Sequence, residues 1–466
     1  MDSAPALRTA VLADSDTRWK WGALTARRLM PGARIDGLLL RGRATPTPRQ
    51  LAEVGVTVDS LRETSGVRFV RDVADRGAYD VVVLACVGGA VQAMLHGMAR
   101  ATEPEGAQGT QALEEGRERG AAGRSVRRPV VVTGYVGVVY EKLADGLLLR
   151  HGADVVLANS RFDAERFRSV YTGVGADDSS VTEGALPFLG GAPYEGPDQG
   201  PYAERPFTVV FAAQPSVPAS RADRAYLLRR AVEHARMHPE REVLIKLRSR
   251  PGEHTTHIEE QPYQKLAGRL SGGLPANCRL VYGHMGEVLD RTDLLVTVSS
   301  TAALESLHRA IPTAVLTDLG VREVLGNHHF LGSGCLASWD QLDAGFLPEA
   351  AAEWTARQGV LPGGQYEHAF DTAGERVAEL AARDQLPALA PYYTPTTAPG
   401  YLPGVLARYG LDVDGAPLPG AAAAADDGAA SGLRGAVRGA VRDAARGAYR
   451  HGVQRVAPVI RRMGEL

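Results

Sequence analysis

The chain has 466 residues and a mass of 49.5 kDa, which is too long for a small recognition module and fits two domains of similar size. Hydrophobic residues make up 44% and charged residues 23%, a composition that excludes a mainly disordered chain. The formal net charge is -2, so no overall basic character points to nucleic acid as a partner.

Apolar runs alternate with helical patterns through the first part of the chain. These strand-like runs are TAVLAD (9–14), IDGLLL (35–40), YDVVVLACVGG (79–89), PVVVTGY (129–135) and ADVVLANS (153–160). The alternation predicts a parallel sheet covered by helices, in a first Rossmann-like domain over residues 1–190. Residues 101–128 are rich in Gly, Glu and Arg and lack an apolar face, which indicates a mobile surface insertion.

The same pattern restarts after residues 191–206, whose Gly and Pro density predicts a linker. Its strand-like runs are FTVVFAAQ (207–214), EVLIKL (242–247), CRLVYG (278–283), DLLVTV (293–298) and TAVLTD (313–318). They predict a second doubly wound domain over 207–390. Residues 391–431 are rich in Pro, Ala and Gly, which predicts a return segment and a further linker.

The last segment, 432–466, is basic. It carries eight arginines against Asp443 and Glu465. Five of these recur every four residues beside small apolar side chains: Arg434, Arg438, Arg442, Arg446 and Arg450. The spacing predicts a basic amphipathic helix that lies on an anionic membrane surface, and the alternative is a solvated extension.

The cysteines and the hydropathy of the chain indicate the cellular compartment of the protein. Cys86, Cys278 and Cys335 are far apart and lack paired spacing, which favours buried thiols over a disulfide framework or a zinc site. The opening segment has no cationic region before its short apolar run, and no stretch stays apolar for the roughly 18 residues of a membrane span. We expect a cytoplasmic protein that is peripheral to the inner face of the membrane.

A candidate anion site lies in VTVSSTAALESLHRAIPTAVLTD (296–318). A strand ends, small hydroxyl residues follow, and a helix begins at once, so Ser299 or Ser300 is placed to cap the helix and Ser299–Thr301 to receive a phosphate. Glu305, one turn into the helix, is a candidate acceptor for a sugar hydroxyl or a complement to the helix dipole. The alternative for the whole segment is an ordinary helix cap.

A second group follows the strand in REVLIKLRSRPGEHTTHIEEQPY (241–263). Lys246 and Arg248 suit a nucleotide phosphate, the first as a point charge and the second as a bidentate donor, with His257 nearby. Exposed cations at a strand end are the simpler explanation. His254 and His257 have helical spacing for a metal, but without a third ligand we expect no metal site.

A third group closes the first strand in LRTAVLADSDTRWKWGALTARRL (7–29). Asp14 and Asp16 flank Ser15 just before a predicted helix, and each is a candidate for a helix cap or a general base. TGYVGVVYEK (133–142) adds Tyr135, Tyr140 and Glu141 at another strand end. Neither a dinucleotide fingerprint nor a P-loop occurs, which disfavours a dehydrogenase or a P-loop NTPase.

The segments FTVVFAAQPSVP, VLIKLRSRPGEHTTHIEEQPY and VTVSSTAALESLHRAIPTAVLTDLGV together resemble the nucleotide-sugar domain of GT-B glycosyltransferases. They are similar, more narrowly, to bacterial capsule enzymes of the polysialyltransferase and Kdo-transferase kind and to uncharacterised actinobacterial glycosyltransferases. In that group a Lys-x-His-Pro element and a Ser-Ser pair bind the phosphate of CMP. Ser299 and Ser300 match the pair, and Lys246 matches the lysine, but Leu247, Arg248 and Ser249 stand in place of the rest.

The resemblance implies an α/β protein with two Rossmann-like domains facing a cleft and a metal-independent transfer of a sugar, preferably a CMP-activated sialic-type acid. No cofactor is expected beyond that donor substrate, and the acceptor is a cell-surface glycan or lipid-linked polymer. The resemblance places the acidic catalytic residue, which acts as the general base, in the first domain, where Asp16 or Asp14 is the nearest match by position. A sugar-nucleotide epimerase, a polyol-phosphate transferase and a non-catalytic scaffold remain as alternatives.

Overall fold

The computed structural model describes residues 6–42, 44–75, 77–102, 125–138, 143–197, 205–250, 253, 259–360 and 363–421. Contacts divide these residues into two units. The N-terminal domain consists of the described residues of Met1–Pro187 and Glu367–Gly432, and the C-terminal domain consists of those of Phe188–Tyr366. The prediction of two Rossmann-like α/β domains is confirmed.

The first part of the N-terminal domain alternates strands with helices. Its elements are β1 (Arg8–Ala13), α1 (Asp16–Leu29), β2 (Arg34–Leu40), α2 (Pro48–Val54), β3 (Ser60–Thr64), α3 (Gly66–Ala74), β4 (Val81–Ala85), α4 (Gly88–Ala101), β5 (Ser125–Val126), β6 (Val130–Gly134), α5 (Leu143–Leu148), β7 (Val155–Ala158), α6 (Arg161–Gly173) and β8 (Val181–Glu183). Seven of the strands form one parallel sheet in the order β3-β2-β1-β4-β6-β7-β8.

Apolar runs and serine caps explain these elements. The central strands β4, β6 and β7 are buried along their whole length, as expected for a parallel sheet covered on both faces. Ser15, Ser65 and Ser160 begin α1, α3 and α6, and each side chain accepts a hydrogen bond from a backbone N–H of the first turn. Trp19 and Trp21 of α1 are buried.

The C-terminal domain repeats the plan. Its elements are β9 (Thr208–Ala212), α7 (Arg221–Met237), β10 (Glu242–Lys246), α8 (Tyr263–Ala267), β11 (Cys278–Val281), α9 (Met285–Leu289), β12 (Leu294–Thr297), α10 (Ala302–His308), β13 (Thr313–Leu316), β14 (Leu336–Ala337), α11 (Trp339–Asp343) and α12 (Ala352–Arg357). The six strands form a parallel sheet in the order β11-β10-β9-β12-β13-β14.

The chain returns to the N-terminal domain earlier than the sequence predicts. The predicted boundary of the second domain at residue 390 is wrong, because residues from Glu367 onward belong to the N-terminal domain. The returning elements are α13 (Asp371–Ala381), β15 (Leu386–Pro387) and α14 (Leu402–Ala407). α13 packs against α1 and the β6–β8 edge of the sheet, and the α14 side chains Leu402 and Leu406 join the domain core.

Three other predicted segments differ in the structure. Described residues of 391–431 up to Ala421 are part of the N-terminal domain, where Leu411 is buried, rather than a linker. The described residues of the predicted linker 191–206 pack in the C-terminal domain, where Tyr194 donates its amide to the Arg309 carbonyl at 2.7 Å. At the end of the predicted insertion 101–128, β5 pairs with β15. Residues 103–124 lie outside the described residues, as does the basic segment 432–466.

Each sheet has a switch point at which the direction of strand addition reverses. The chain builds from β1 to β2 and β3, then places β4 on the other side of β1. In the second sheet it builds from β9 to β10 and β11, then places β12 on the other side of β9. Ligands of open parallel sheets bind beyond the carboxyl ends of the strands at such points, so the edges at β1/β4 and β9/β12 are where a site is expected.

Candidate functional site

Three strand ends are aligned at the switch point of the C-terminal domain. Ala212, the last residue of β9, pairs with Lys246 of β10 on one side and with Thr297 of β12 on the other. The Thr297 hydroxyl donates to the Ala212 carbonyl at 3.0 Å, which fixes the ends of β9 and β12 against each other. The structure therefore brings the predicted Lys246 and Ser299–Thr301 groups to the same edge of one sheet.

The Ser299 hydroxyl is buried and bonded within the chain. It donates to the Leu325 carbonyl at 2.6 Å and accepts from Gln214 Nε2 at 3.2 Å. The Ser299 amide in turn donates to Gln214 Oε1 at 2.9 Å. Gln214 and Ser299 thus join the segments that follow β9 and β12, and the hydroxyl of Ser299 holds this loop in place.

Ser300 provides the hydroxyl at the start of α10. Its Oγ accepts from the Ala302 amide at 3.2 Å, and its own amide donates to Thr297 Oγ1 at 3.2 Å. Thr301 is the residue immediately before the helix, but its side chain makes no capping bond. Neither serine predicted to cap this helix is its N-cap, which is Thr301, but the Ser300 hydroxyl accepts from the first amide of the helix. Because Ser300 acts there as an acceptor, its hydroxyl hydrogen can go to a ligand oxygen.

The charged residues predicted around this edge are largely buried. Lys246 is 7% exposed, and its ammonium group donates to the Leu247 carbonyl at 2.9 Å, which keeps the positive charge at the carboxyl end of β10. Arg248 is half-buried two residues further on. Glu305 is buried in the first turn of α10. His257, with its neighbour His254, lies outside the described residues.

Asp14 is engaged through both carboxylate oxygens at the switch point of the N-terminal domain. Its Oδ1 accepts from Arg18 Nη1 at 2.8 Å, and its Oδ2 accepts from the Val87 amide at 3.0 Å. Val87 immediately precedes α4, so Asp14 links the end of β1 to the start of the helix that follows β4. This carboxylate holds the two strand ends together in the way that Gln214 does in the other domain.

Asp16 differs from Asp14 in position and surroundings. It is the first residue of α1 and half-buried, and its Oδ1 accepts from the Thr17 hydroxyl at 3.4 Å. The prediction that one of these aspartates caps the helix is wrong, because Ser15 occupies that position and its Oγ accepts from the Arg18 amide. A carboxylate in the first turn still complements the positive end of the helix dipole.

The third predicted strand end, at Tyr135, is organised by a buried arginine. Arg150 donates to the carbonyls of Gly134 at 2.9 Å and Cys86 at 3.2 Å, and its guanidinium lies 4.2 Å from the centre of the Tyr135 ring. Burial raises the pKa of the Cys86 thiol well above its usual value and also raises the pKa of Tyr135. Both groups are therefore neutral and structural. Tyr140 and Glu141 lie outside the described residues.

All three cysteines are buried and unpaired, which confirms the prediction of free thiols. Burial also raises the pKa of Cys278 to about 11 and raises that of Cys335. A thiol with a raised pKa is a poor nucleophile at neutral pH. None of the three is a candidate for covalent catalysis.

Sequence reasoning missed Gln214, Arg18 and the Val87 amide. Gln214 directly follows a predicted strand in FAAQP, which is the same signal that singled out Asp14. Arg18 lies four residues after Asp14, a spacing that predicts an ion pair on a helix. The Val87 amide could not be predicted, because its proximity to Asp14 depends on β4 lying beside β1.

A cavity in the N-terminal domain lies away from these edges. Its volume is about 180 Å³, and its lining includes Tyr79, Asp80, Met98 and Arg128. Asp80 and Arg128 precede β4 and β6, so the cavity is at the amino ends of the strands. Because sheets of this type bind ligands at the opposite edge, we do not assign the donor or acceptor to it.

Among the described residues, His234, His238 and Asp343 form a group whose potential metal-ligating atoms lie within 4.8 Å of one another. Their atoms already have protein partners. His234 Nδ1 is 2.6 Å from Asp343 Oδ1, Arg230 donates to Asp343 Oδ2 at 2.8 Å, and Arg241 Nη1 is 3.4 Å from His234 Nε2. The Arg230 guanidinium neutralises the Asp343 carboxylate and Arg241 lies against His234, which suits a polar network joining α7 to α11.

The fold and the two strand edges define a class of protein: a two-domain Rossmann-like α/β protein with polar residues at both switch points. Residues 9–380 match the family described as "Putative glycosyltransferase (DUF6716)", and the chain belongs to that family. The predicted glycosyltransferase class is confirmed at this level. The narrower similarity to sialic-type transferases and the preference for CMP stay predictions. The comparison with curated proteins gives no match.

Solved structures of low identity resemble the chain. S. aureus MnaA in complex with UDP has 10% identity and a TM-score of 0.47, with 80% of this chain and 95% of that chain covered. UDP-N-acetylglucosamine 2-epimerase from Rickettsia bellii has 10% identity and a TM-score of 0.46, with 81% and 95% covered. The glycotransferase of kitacinnamycin has 15% identity and a TM-score of 0.40, with 81% and 96% covered. Similarities of this size do not bear on the reaction.

Proposed function

We propose that the protein is a glycosyltransferase that binds a nucleotide-sugar donor at the β9/β12 edge of its C-terminal domain. The observation that carries this proposal is the alignment of Lys246, Gln214 and Ser300 across three adjacent strand ends at the switch point. The membership of the chain in a glycosyltransferase family supports the same reaction class.

The charges at this edge suit a departing phosphate. Lys246 supplies a buried positive charge, Arg248 a planar set of donors, and Ser300 a hydroxyl hydrogen. In the proposed reaction the acceptor oxygen attacks the anomeric carbon of the donor sugar, and the bond from that carbon to the phosphate oxygen breaks. The negative charge that develops on the phosphate is stabilised by groups already in place.

The donor that we favour carries a CMP-linked sialic-type acid, and the acceptor is a cell-surface glycan or lipid-linked polymer. The support for this finer assignment is the sequence similarity around Lys246 and the Ser299–Ser300 pair. Arg248 stands where the polysialyltransferase and Kdo-transferase kind has the histidine of its Lys-x-His-Pro element. Its guanidinium provides a positive charge in place of that histidine. With these cations in place, we propose that the transfer requires no metal ion.

The proton acceptor that we propose is Asp16 of the N-terminal domain. Asp14 has both oxygens engaged, by Arg18 and the Val87 amide, and is suited to positioning the loop. Asp16 lies two residues further along at the same strand end and is half-buried. It would take the proton of the acceptor hydroxyl as the new glycosidic bond forms.

The substitution Ser300→Ala tests the donor site. We expect nucleotide-sugar affinity to fall roughly five- to tenfold, because one hydrogen bond to the phosphate is worth about 1 kcal/mol. Isothermal titration calorimetry with CMP- and UDP-linked sugars measures the change. Nucleotide affinity that is the same in the variant and the wild type would remove Ser300 from the site.

Ser299→Ala serves as the matched control. Its hydroxyl is bonded to Leu325 and Gln214, so its loss should reduce the free energy of unfolding by about 1–3 kcal/mol, the cost of leaving buried polar groups unpaired. The doubly substituted chain should show both effects. A Ser299→Ala variant of unchanged stability would contradict the bonding described at this switch point.

A further prediction concerns the basic segment 432–466. No helix of the described residues is long and apolar enough to span a membrane. Each arginine near an anionic surface contributes about 1 kcal/mol at low salt, so the full chain should sediment with anionic vesicles at low salt and be released at high salt. A chain ending near Gly420 should stay in the supernatant and keep donor binding. Equal partition of the two chains would exclude the segment from membrane association.

A further inference from the structure

A buried arginine, Arg224 of α7, connects two loops at the candidate donor edge. It is 1% exposed, and its guanidinium lies 4.2 Å from the centre of the Tyr263 ring. Among the described residues, each hydrogen bond that it donates goes to a loop and none goes to the sheet. A fully buried guanidinium is stable only when its N–H donors are hydrogen-bonded. The partners of Arg224 therefore identify the segments that it fixes in place.

The first loop follows β9. Arg224 Nη1 donates to the carbonyls of Gln214 at 2.9 Å, Pro215 at 3.2 Å and Pro218 at 3.3 Å. The Gln214 side chain in turn binds the amide and hydroxyl of Ser299. Because Arg224 binds the backbone carbonyl of Gln214, it fixes the position from which the Gln214 side chain reaches Ser299.

The second loop leads into α8. Arg224 Nε donates to the Gln261 carbonyl at 2.7 Å, and Nη2 is bonded to Glu259. Gln264, in the first turn of α8, donates to the Ser249 carbonyl at 3.0 Å and to the Tyr282 hydroxyl at 3.0 Å. The same arginine is thus linked to the end of β10, next to Arg248, and to the end of β11.

We propose that Arg224 is a positioning residue that couples the loop after β9 to the segment 259–264. This coupling places the polar groups at the carboxyl ends of β9, β10 and β12 so that all of them contact the same donor phosphate. This inference rests on the proposed function for its effect on donor binding. Five donors in one plane can hold both loops at once, which the single ammonium group of a lysine cannot do. Arg224 does not itself contact the donor.

The test uses the full chain with Arg224→Lys, the milder Glu259→Gln, and Arg205→Lys as a matched control. Arg205 is bonded to Asp293 at the opposite, amino edge of the same sheet, so its substitution perturbs the domain away from the donor edge. Two quantities are measured: the donor Kd by calorimetry and amide hydrogen exchange in residues 213–220 and 259–264.

Arg224→Lys should weaken donor affinity about tenfold and accelerate exchange in both segments together, and Glu259→Gln should do the same to a smaller extent. Arg205→Lys should leave donor affinity within twofold and both segments protected. The proposal is overturned if exchange rises in one segment alone, or if both Arg224→Lys and Glu259→Gln bind donor like the wild type. A wild-type chain that binds no nucleotide sugar refutes the proposed function, and the exchange measurement still decides whether Arg224 couples the loops.

Discussion

Asp16→Asn should lower the turnover number roughly 100-fold or more and leave donor affinity unchanged. The size follows from general-base catalysis, which typically contributes 10²–10⁴-fold, and the amide cannot accept the proton of the acceptor hydroxyl. Donor affinity is retained because the proposed donor groups belong to the C-terminal domain. Initial-rate kinetics at saturating donor, together with calorimetry, separate the two effects.

The matched control is Asp80→Asn. Asp80 lies at the amino edge of the same sheet, where its carboxylate accepts from the Arg8 amide at 2.8 Å, a bond that an asparagine oxygen can also accept. Its substitution should leave turnover near the wild-type value. If Asp16→Asn retains normal turnover and Asp14→Asn loses it, the base is Asp14. The assignment of Asp16 as the base would then be wrong.

Asp163→Asn should stabilise the N-terminal domain at pH 7. Burial raises the pKa of this carboxyl from 3.8 to about 6, and within the described part of the chain its Oδ1 has no hydrogen-bond partner, with Arg166 Nη1 at 3.8 Å. Because the folded-state pKa is higher than the unfolded one, the folded chain binds the proton more tightly. The stability that this proton provides is present below about pH 4 and lost as pH rises through 6.

A neutral amide does not incur this loss, so the variant should gain about 1–3 kcal/mol in the free energy of unfolding at pH 7 and nothing near pH 4. Urea unfolding of both chains at pH 4, 5.5 and 7 measures the difference. Asp177→Asn is the control of opposite sign, since hydrogen bonds from Ser179 lower the pKa of Asp177, and its removal should cost stability at pH 7 that disappears at low pH. A stability difference for Asp163→Asn that is independent of pH would contradict the assignment.

The fold could be predicted because its central strands are apolar runs. β4, β6, β7 and β9–β13 fall within predicted segments, and β1 and β2 begin one residue before theirs, since a parallel sheet buried on both faces demands such runs. The edge strands β3 and β8 were missed, as were β5, β14 and β15, which have two residues each. SLRET is polar and only its last residue is buried, and β8 has three residues, so neither edge strand differs from a loop in sequence.

The return of the chain could not be predicted for a related reason. α13 has an ordinary amphipathic pattern. The spacing of its apolar residues predicts a helix but does not indicate which of the two sheets that helix packs against. At the candidate site, the chemistry of Lys246 and Ser300 could be predicted because Lys246 ends a strand and Ser300 follows one. That the hydroxyl of Ser299 is used by Leu325 and Gln214 depends on contacts between distant segments, which sequence spacing does not encode.

Product formation by the full chain with CMP-, UDP- and CDP-linked sugars, followed by mass spectrometry, decides whether the protein is a glycosyltransferase. We predict that nucleotide is released together with a glycosylated acceptor, that EDTA leaves the rate unchanged, and that CMP-linked sialic-type donors give the highest rate. Another preferred nucleotide would change the donor and retain the reaction class. Release of an epimerised sugar nucleotide without acceptor, or no turnover and no binding across the whole panel, would contradict the glycosyltransferase assignment.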